Sequence, residues 1–144
     1  MISLPNNRYQ RGARAERELL GTFYETGWSV IRSSGSGVNA LSPDLLVAKD
    51  RVCIAIECKA WDRGSLSIGP EQFLKLLEWE KNTSFPTYVA WRVNRKGWYF
   101  IRLDEFTKGE KNYNVTMKKV SEINRLFDDV VRMFAPHEVV QAAV

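Results

Sequence analysis

The sequence predicts an α/β fold, a mixed central sheet flanked by helices, with its elements in the order αβββαββα. Three observations predict it. Apolar residues recur at helical spacing near both ends of the chain. Two pairs of β-branched and aromatic runs are each joined by a short polar turn. A helical segment opened by a proline separates the two pairs.

Taken in order, the first helix runs from Arg11 to about Thr26, where Ala13, Ala15, Leu19, Leu20 and Phe23 recur at helical spacing and Gly27 follows as a stop. Trp28–Ser33 (WSVIRS) reads as a strand. Ser33–Pro43 has the Gly, Ser, Asn and Pro content of a loop. Asp44–Ala48 and Val52–Trp61 are the next two strands, made a hairpin by Lys49-Asp50-Arg51. A second loop spans Gly64 to Gly69. Pro70 then occupies the first turn of the helix PEQFLKLLEWEKN, where a missing N–H costs little, and Phe73, Leu76, Leu77 and Glu80 define one face. Thr87–Val93 and Gly97–Leu103 pair through Asn94-Arg95-Lys96. A last amphipathic helix, Lys119 to Phe134, carries Val120, Ile123, Phe127, Val130 and Val131.

A length of 144 residues, 44% hydrophobic and 26% charged, suits one domain with a real core and is too short for two. Residues 1–144 therefore form one unit, with 136–144 as a loosely held tail. No apolar stretch approaches membrane-spanning length, and the N-terminus lacks the continuous apolar core of a secretory signal. Cys53 and Cys58 are five apart in one strand, so they point to opposite faces and cannot bridge each other. With His137 as the single histidine, a Cys/His zinc site has almost no ligands. A reducing, cytoplasmic compartment is expected, or the host cytoplasm for a viral gene. The net charge of +4 and pI near 9.2 are a mild bias toward polyanions. Arg8, Arg11, Arg14, Arg17 and Arg32 all fall in the first quarter of the chain.

The chemistry-bearing segment is Pro43-Asp44, followed after twelve residues by Glu57-Cys58-Lys59. In IAIECKAW, period-two alternation places Ile54, Ile56 and Cys58 on one face and Ala55, Glu57, Lys59 and Trp61 on the other. A carboxylate and an ammonium thus stand side by side in a strand too apolar to lie wholly in water. Buried charges are costly unless paired or bound to a metal. Asp44, beginning the neighbouring strand, brings a second carboxylate to the same place. Two carboxylates and a main-chain carbonyl, with that of Cys58 the natural candidate, offer hard oxygen ligands to Mg²⁺. The plainer reading is a Glu–Lys pair on a strand edge. Glu16 continues the inward stripe of the first helix, three, four and seven positions before Leu19, Leu20 and Phe23. It is either the ion-pair partner of a nearby arginine or a ligand, direct or through water, for the same metal.

Arg11-Gly12, Glu16-Arg17-Glu18-Leu19, Gly27, Arg32-Ser33-Ser34-Gly35-Ser36, Pro43-Asp44 and Ile56-Glu57-Cys58-Lys59 occur in an order and spacing that resemble the archaeal-type Holliday junction resolvases of the PD-(D/E)xK nuclease superfamily. The resemblance runs from about Tyr9 to Leu103. The P-D and E-x-K pieces alone indicate the superfamily; the RG…ERE opening and the Gly-Ser loop make the resolvase likeness specific.

The resemblance implies a restriction-endonuclease-like fold and Mg²⁺-dependent cleavage of four-way DNA junctions by a homodimer, with Mn²⁺ able to substitute and no small-molecule cofactor. It implies that Glu16, Asp44 and Glu57 are metal-binding acids and Lys59 the catalytic lysine. Arg17 and Arg32 match basic residues near the scissile phosphate or DNA backbone. One loop serine acts near the cleavage site, Ser36 in preference to Ser34. Gln72 matches a polar position near the active site, although an exposed helix amide would look the same. Arg92 matches a basic strand residue, although any exposed strand arginine would too. Trp61-Asp62-Arg63 departs from the pattern, and no role is carried past Leu103.

Arg8, Arg11 and Arg14 are expected on DNA phosphates, giving sequence-independent, salt-sensitive binding, with residues 1–10 a mobile arm that orders on DNA. A two-fold dimer matches two symmetry-related phosphates. Phe73, Trp79, Trp91, Trp98 and Phe100 are candidates for its interface, although core is the better reading for each taken alone. The alternatives are another nuclease of the superfamily acting on duplex or flap DNA, and a catalytically silent junction-binding architectural dimer.

Overall fold

The structure is a computed structural model that describes residues 7–33 and 41–134, with side chains from Gln10 onward. Ser34, Ser36, the side chain of Arg8 and the tail 136–144 therefore lie outside the described residues. The elements are α1 (Asn7–Glu25), β1 (Ser29–Arg32), β2 (Leu45–Lys49), β3 (Val52–Ala60), β4 (Ser65–Ile68), α2 (Pro70–Thr83), β5 (Thr87–Val93), β6 (Gly97–Arg102), a 3₁₀ turn (Leu103–Glu105), β7 (Thr107–Lys108), β8 (Tyr113–Thr116), α3 (Met117–Ile123) and α4 (Phe127–Phe134).

A five-stranded mixed sheet in the order β1-β2-β3-β5-β6 forms the centre. The β3–β5 pair is parallel and the other pairs are antiparallel. The β2–β3 hairpin turns on Asp50 and Arg51, both at positive φ (50° and 72°), as a two-residue type I′ turn demands. Gly27, at φ 93°, ends α1 and turns the chain into β1.

The alternation of β3 feeds two cores. Ile54 and Ile56 pack with Ala15, Leu19 and Phe23 of α1, Trp28, Phe100 and Val130 of α4. Phe23 anchors this layer through edge-to-face contacts with Trp28 (5.6 Å) and Phe127 (4.8 Å). On the other face Val89, Trp91 and Ile101 pack with Leu66, Ile68, Phe73 and Leu76 of α2, Val115 and Val120. That face also receives Glu57, which is only 6% exposed.

Several expectations need correction. Gly64–Gly69 is not all loop: Ser65–Ile68 forms β4, pairs antiparallel with β8, and buries Leu66 and Ile68. Its partner lies nearly fifty residues on, so no local turn announced it. The small sheet β4-β8-β7 adds three strands to those predicted. The last helix divides at Asn124, which adopts the left-handed conformation and returns its N–H to the Val120 carbonyl. The break lets Arg125 reach Glu105 (2.7 Å) and the Phe100 carbonyl (3.0 Å). Helix α1 begins at Asn7, before the expected Arg11, since neither Gly nor Pro interrupts Asn7–Arg11. Leu77 is exposed rather than core-facing. Phe73, Trp91, Trp98 and Phe100 are buried in the cores, which removes them from any surface interface; Trp79 is half-buried.

Candidate active site

Pro43 is buried and delivers Asp44 to the start of β2, where the Ser33 N–H bonds the Asp44 carbonyl (2.8 Å). The side chain turns toward β3, and Asp44 Oδ2 accepts the Cys58 N–H at 2.8 Å. Glu57, one residue earlier on β3, points into the α2 layer. There the Gln72 amide NH₂ donates to Glu57 Oε2, while Gln72 Oε1 accepts from Lys59 Nζ at 3.0 Å. Lys59 Nζ lies 3.8 Å from Glu57 Oε2. One glutamine, in the first turns of α2, thus fixes both members of the E-x-K motif. An exposed amide would do none of this.

Burial, and then the negative charge of Asp44, push the Glu57 carboxyl up to about 8, with Lys59 opposing them. The same Asp44 charge contributes to raising Glu16, although burial is the larger cause there too. The Cys58 thiol is raised well above its ordinary value by burial, so it stays neutral, and the main chain of Cys58 is what meets the site. Glu16 is itself paired: Arg32 Nε donates to Glu16 Oε1 at 2.6 Å. Arg17 also lowers Glu16 through its charge.

Among the described residues, no three His, Cys, Asp or Glu side chains converge closely enough to cage a metal ion by themselves. The donor set nonetheless fits a hard divalent cation. Asp44 and Glu57 are close enough to repel, are buried or half-buried, and flank the Cys58 peptide; a cation would relieve that repulsion. Glu16, held by Arg32, stands at the rim of this pair.

The other predicted residues sit beside the site. Ala60 of β3 lies across from Arg92 of β5, and Arg92 makes a two-pronged ion pair with Glu18 of α1. Arg11 reaches Asp62 at 3.6 Å. Arg11, Arg14 and Arg92 line one groove of about 290 Å³ with Ala15, Glu18 and Trp61. The sequence reading gave no role to Glu18 or Trp61. The spacing Arg11, Arg14, Glu18 (i, i+3, i+7) was the available signal that they share a helix face.

The family model described as archaeal Holliday junction resolvase (Hjc) matches residues 7–134. The match extends past Leu103, through the small sheet and both last helices. The crossover junction endodeoxyribonuclease Hjc of Archaeoglobus fulgidus is 30% identical over 106 residues, 73% of this chain and 78% of that protein. That of Sulfolobus acidocaldarius is 29% identical over 125 residues, 85% and 87% of the two chains. The solved structure of A. fulgidus Hjc superposes with a TM-score of 0.69 at 25% identity, covering 77% of this chain and 88% of that one. The bacterial homing endonuclease I-Ssp6803I shares the fold at 15% identity, with a TM-score of 0.51 over 78% of this chain and 77% of that one. The chain belongs to the archaeal Holliday junction resolvase (Hjc) family.

Proposed function

We infer that this protein is an endonuclease that resolves four-way DNA junctions by paired phosphodiester hydrolysis, in recombination and repair. The observation that carries this reading is the close carboxyl pair of half-buried Asp44 and buried Glu57, with Lys59 held beside it by Gln72. Such a pair costs stability and has no structural use that an apolar pair would not serve better. Asp44, Glu57 and the Cys58 carbonyl would hold Mg²⁺, with Glu16 at the rim and Mn²⁺ as the substitute. Bound there, the cation would acidify water and stabilise charge developing on the phosphate. Lys59 brings its amino group to the same place. Gln72 would keep Lys59 from swinging away, and Arg17 and Arg32, both close to Glu16, would meet the DNA backbone. Ser36, or else Ser34, is the loop serine that would act near the cleavage site.

The deciding experiment offers labelled four-way junction, flap and duplex to the protein, with Mg²⁺ or EDTA. Paired cuts confined to the junction, and only with Mg²⁺, are expected. Equal cutting of all three would make it a general repair or restriction-type nuclease, and binding without cutting an architectural protein.

DNA binding is assigned to Arg8, Arg11, Arg14 and Arg92 together with Arg17 and Arg32. Arg11→Ala should lower junction affinity and reduce the slope of log K against log salt by about one, as for one lost phosphate contact. An unchanged slope would take Arg11 off the DNA surface.

Two identical sites require a homodimer. Leu74 (52% exposed) and Leu77 (38%) lie three apart on α2 and offer the apolar contact that the buried aromatics cannot. The double change L74E/L77E should halve the mass seen in sedimentation; an unaltered dimer would place the interface elsewhere. No helix among the described residues is long and apolar enough to cross a membrane. Work on DNA junctions would call for a cytoplasmic location.

A further inference from the structure

We propose that the groove beside the E-x-K strand seats one nucleotide that has left the helical stack, its phosphates on Arg11, Arg14 and Arg92 and its base on Trp61. This rests on the reading of the protein as a DNA-junction enzyme, and it adds a binding site for a single unpaired nucleotide.

The groove's position comes from the strand order. Ala60 and Trp61 directly follow Lys59, and Arg92 stands across from Ala60 on the parallel strand β5. The groove thus lies one residue past the E-x-K lysine, on the α1 side of the sheet where Glu18 meets Arg92, the face opposite the Lys59 side chain. Its volume, about 290 Å³, suits one nucleotide and not a base pair. A duplex has no free base face to offer here; the strand-exchange point of a junction does.

Trp61 is held ready. Its indole N–H donates to the Ser65 carbonyl (3.3 Å), its own carbonyl accepts the Trp91 indole N–H (2.9 Å), and the Arg63 guanidinium lies 5.9 Å from its ring centroid. An aromatic ring fixed among cations is what single-stranded nucleic acid uses as a sequence-tolerant platform. Asp62 has a separate task. It accepts the Asn94 main-chain N–H (3.0 Å) while meeting Arg11, and so ties the loop after β3 to the turn after β5 as one wall of the groove.

Glu18 is different. Its carboxylate grips Arg92 with two hydrogen bonds inside the groove, where a phosphate would bind. Arg92 is 31% exposed at its side chain and Glu18 47%. Exposed pairs of this kind contribute little to stability, so a phosphate can replace the carboxylate at small cost. Glu18 is a placeholder: it keeps Arg92 extended and weakens binding of any anion that does not also bring a base to Trp61.

The test uses a fluorescent hexathymidylate, (dT)₆, titrated at low salt in EDTA so that nothing is cut. Wild type is expected to bind it, W61F to stay within about twofold, and W61A to lose about tenfold, the scale of one lost base stack. E18Q should bind about three- to tenfold more tightly, because it removes a charge that competes with phosphate. A gain of affinity cannot come from misfolding, so E18Q decides the matter even if W61A folds poorly. No binding by wild type, equal binding by W61F and a folded W61A, or no gain in E18Q each overturns the proposal. Junction cleavage measured on the same wild-type preparation separates the two readings. Cutting with failed (dT)₆ arms keeps the resolvase and removes the seat; successful arms without cutting keep the seat and remove the resolvase.

Discussion

Asp44→Asn and Glu57→Gln are each expected to slow junction cleavage by about a thousandfold or more while leaving junction affinity equal to or above that of wild type. Both changes keep the shape of the site. The asparagine that replaces Asp44 can still accept the Cys58 N–H through its amide oxygen, and the glutamine that replaces Glu57 can still accept from the Gln72 amide. Asp44→Asn removes a negative charge that faces the approaching phosphate. Glu57, raised to about 8, already holds a proton in the metal-free protein, so Glu57→Gln leaves the charge in EDTA unchanged and removes only the carboxylate that a cation would need. Loss of rate without loss of affinity therefore isolates the chemical role from the binding role. The measurement is single-turnover cleavage in Mg²⁺ beside a gel-shift titration in EDTA. Normal cleavage by both variants would mean that the reacting phosphate lies elsewhere. A parallel loss of affinity would mean that the carboxylates order the fold rather than the metal.

The result is clean because the site divides its labour among elements. β3 supplies Glu57 and Lys59 on one face by strand alternation, the start of β2 supplies Asp44, and α2 supplies the amide that bridges the motif. α1 and β1 supply the Glu16–Arg32 pair. Five segments from distant parts of the sequence meet where β2 and β3 pair, so the site is as rigid as the central sheet.

How far the sequence carried depends on the range of the interaction. Strand alternation is a nearest-neighbour property, and it was enough to put Glu57 with Lys59 and apart from Ile56. The hairpin at Asp50 and Arg51 and the stop at Gly27 are likewise local, and both lie where the turn chemistry placed them. What was hidden was long-range. Nothing in Ser65–Ile68 tells that Tyr113–Thr116 will pair with it, so β4 read as loop. Nothing in Arg92 tells that Glu18, more than seventy residues earlier, will hold it. Gln72 was visible as a polar residue in the right turn of a helix, but its double contact with Glu57 and Lys59 depends on how α2 packs on the sheet. The break at Asn124 was overlooked because the apolar spacing continues through it, although an asparagine in that position was a readable stop.

Glu57→Gln is also expected to change how stability responds to pH in the metal-free protein. In the unfolded chain the Glu57 carboxyl titrates near its ordinary 4.5; in the folded protein, burial and the Asp44 charge raise it to about 8. Between those values the folded state keeps a proton that the unfolded chain has released, so unfolding expels a proton and stability falls as pH rises. The proton is shared with Asp44, and the slope belongs to the pair. Its upper limit is about 1.4 kcal/mol per pH unit, or roughly 5 °C in Tm per unit for a chain of this size. The glutamine variant carries no such proton. Its Tm should match wild type near pH 4.5 and exceed it by a widening margin up to pH 8, after which the margin stays constant. Saturating Mg²⁺ binds the deprotonated pair of the wild type and should narrow the gap. Thermal unfolding of both proteins across this range, with EDTA and then with Mg²⁺, reads all of it. Parallel Tm curves in EDTA would show that Glu57 is already ionised in the folded chain, and that Lys59 and Gln72 alone suffice to hold its charge. A gap that Mg²⁺ leaves untouched would place the cation away from Glu57, whatever the cleavage assay shows.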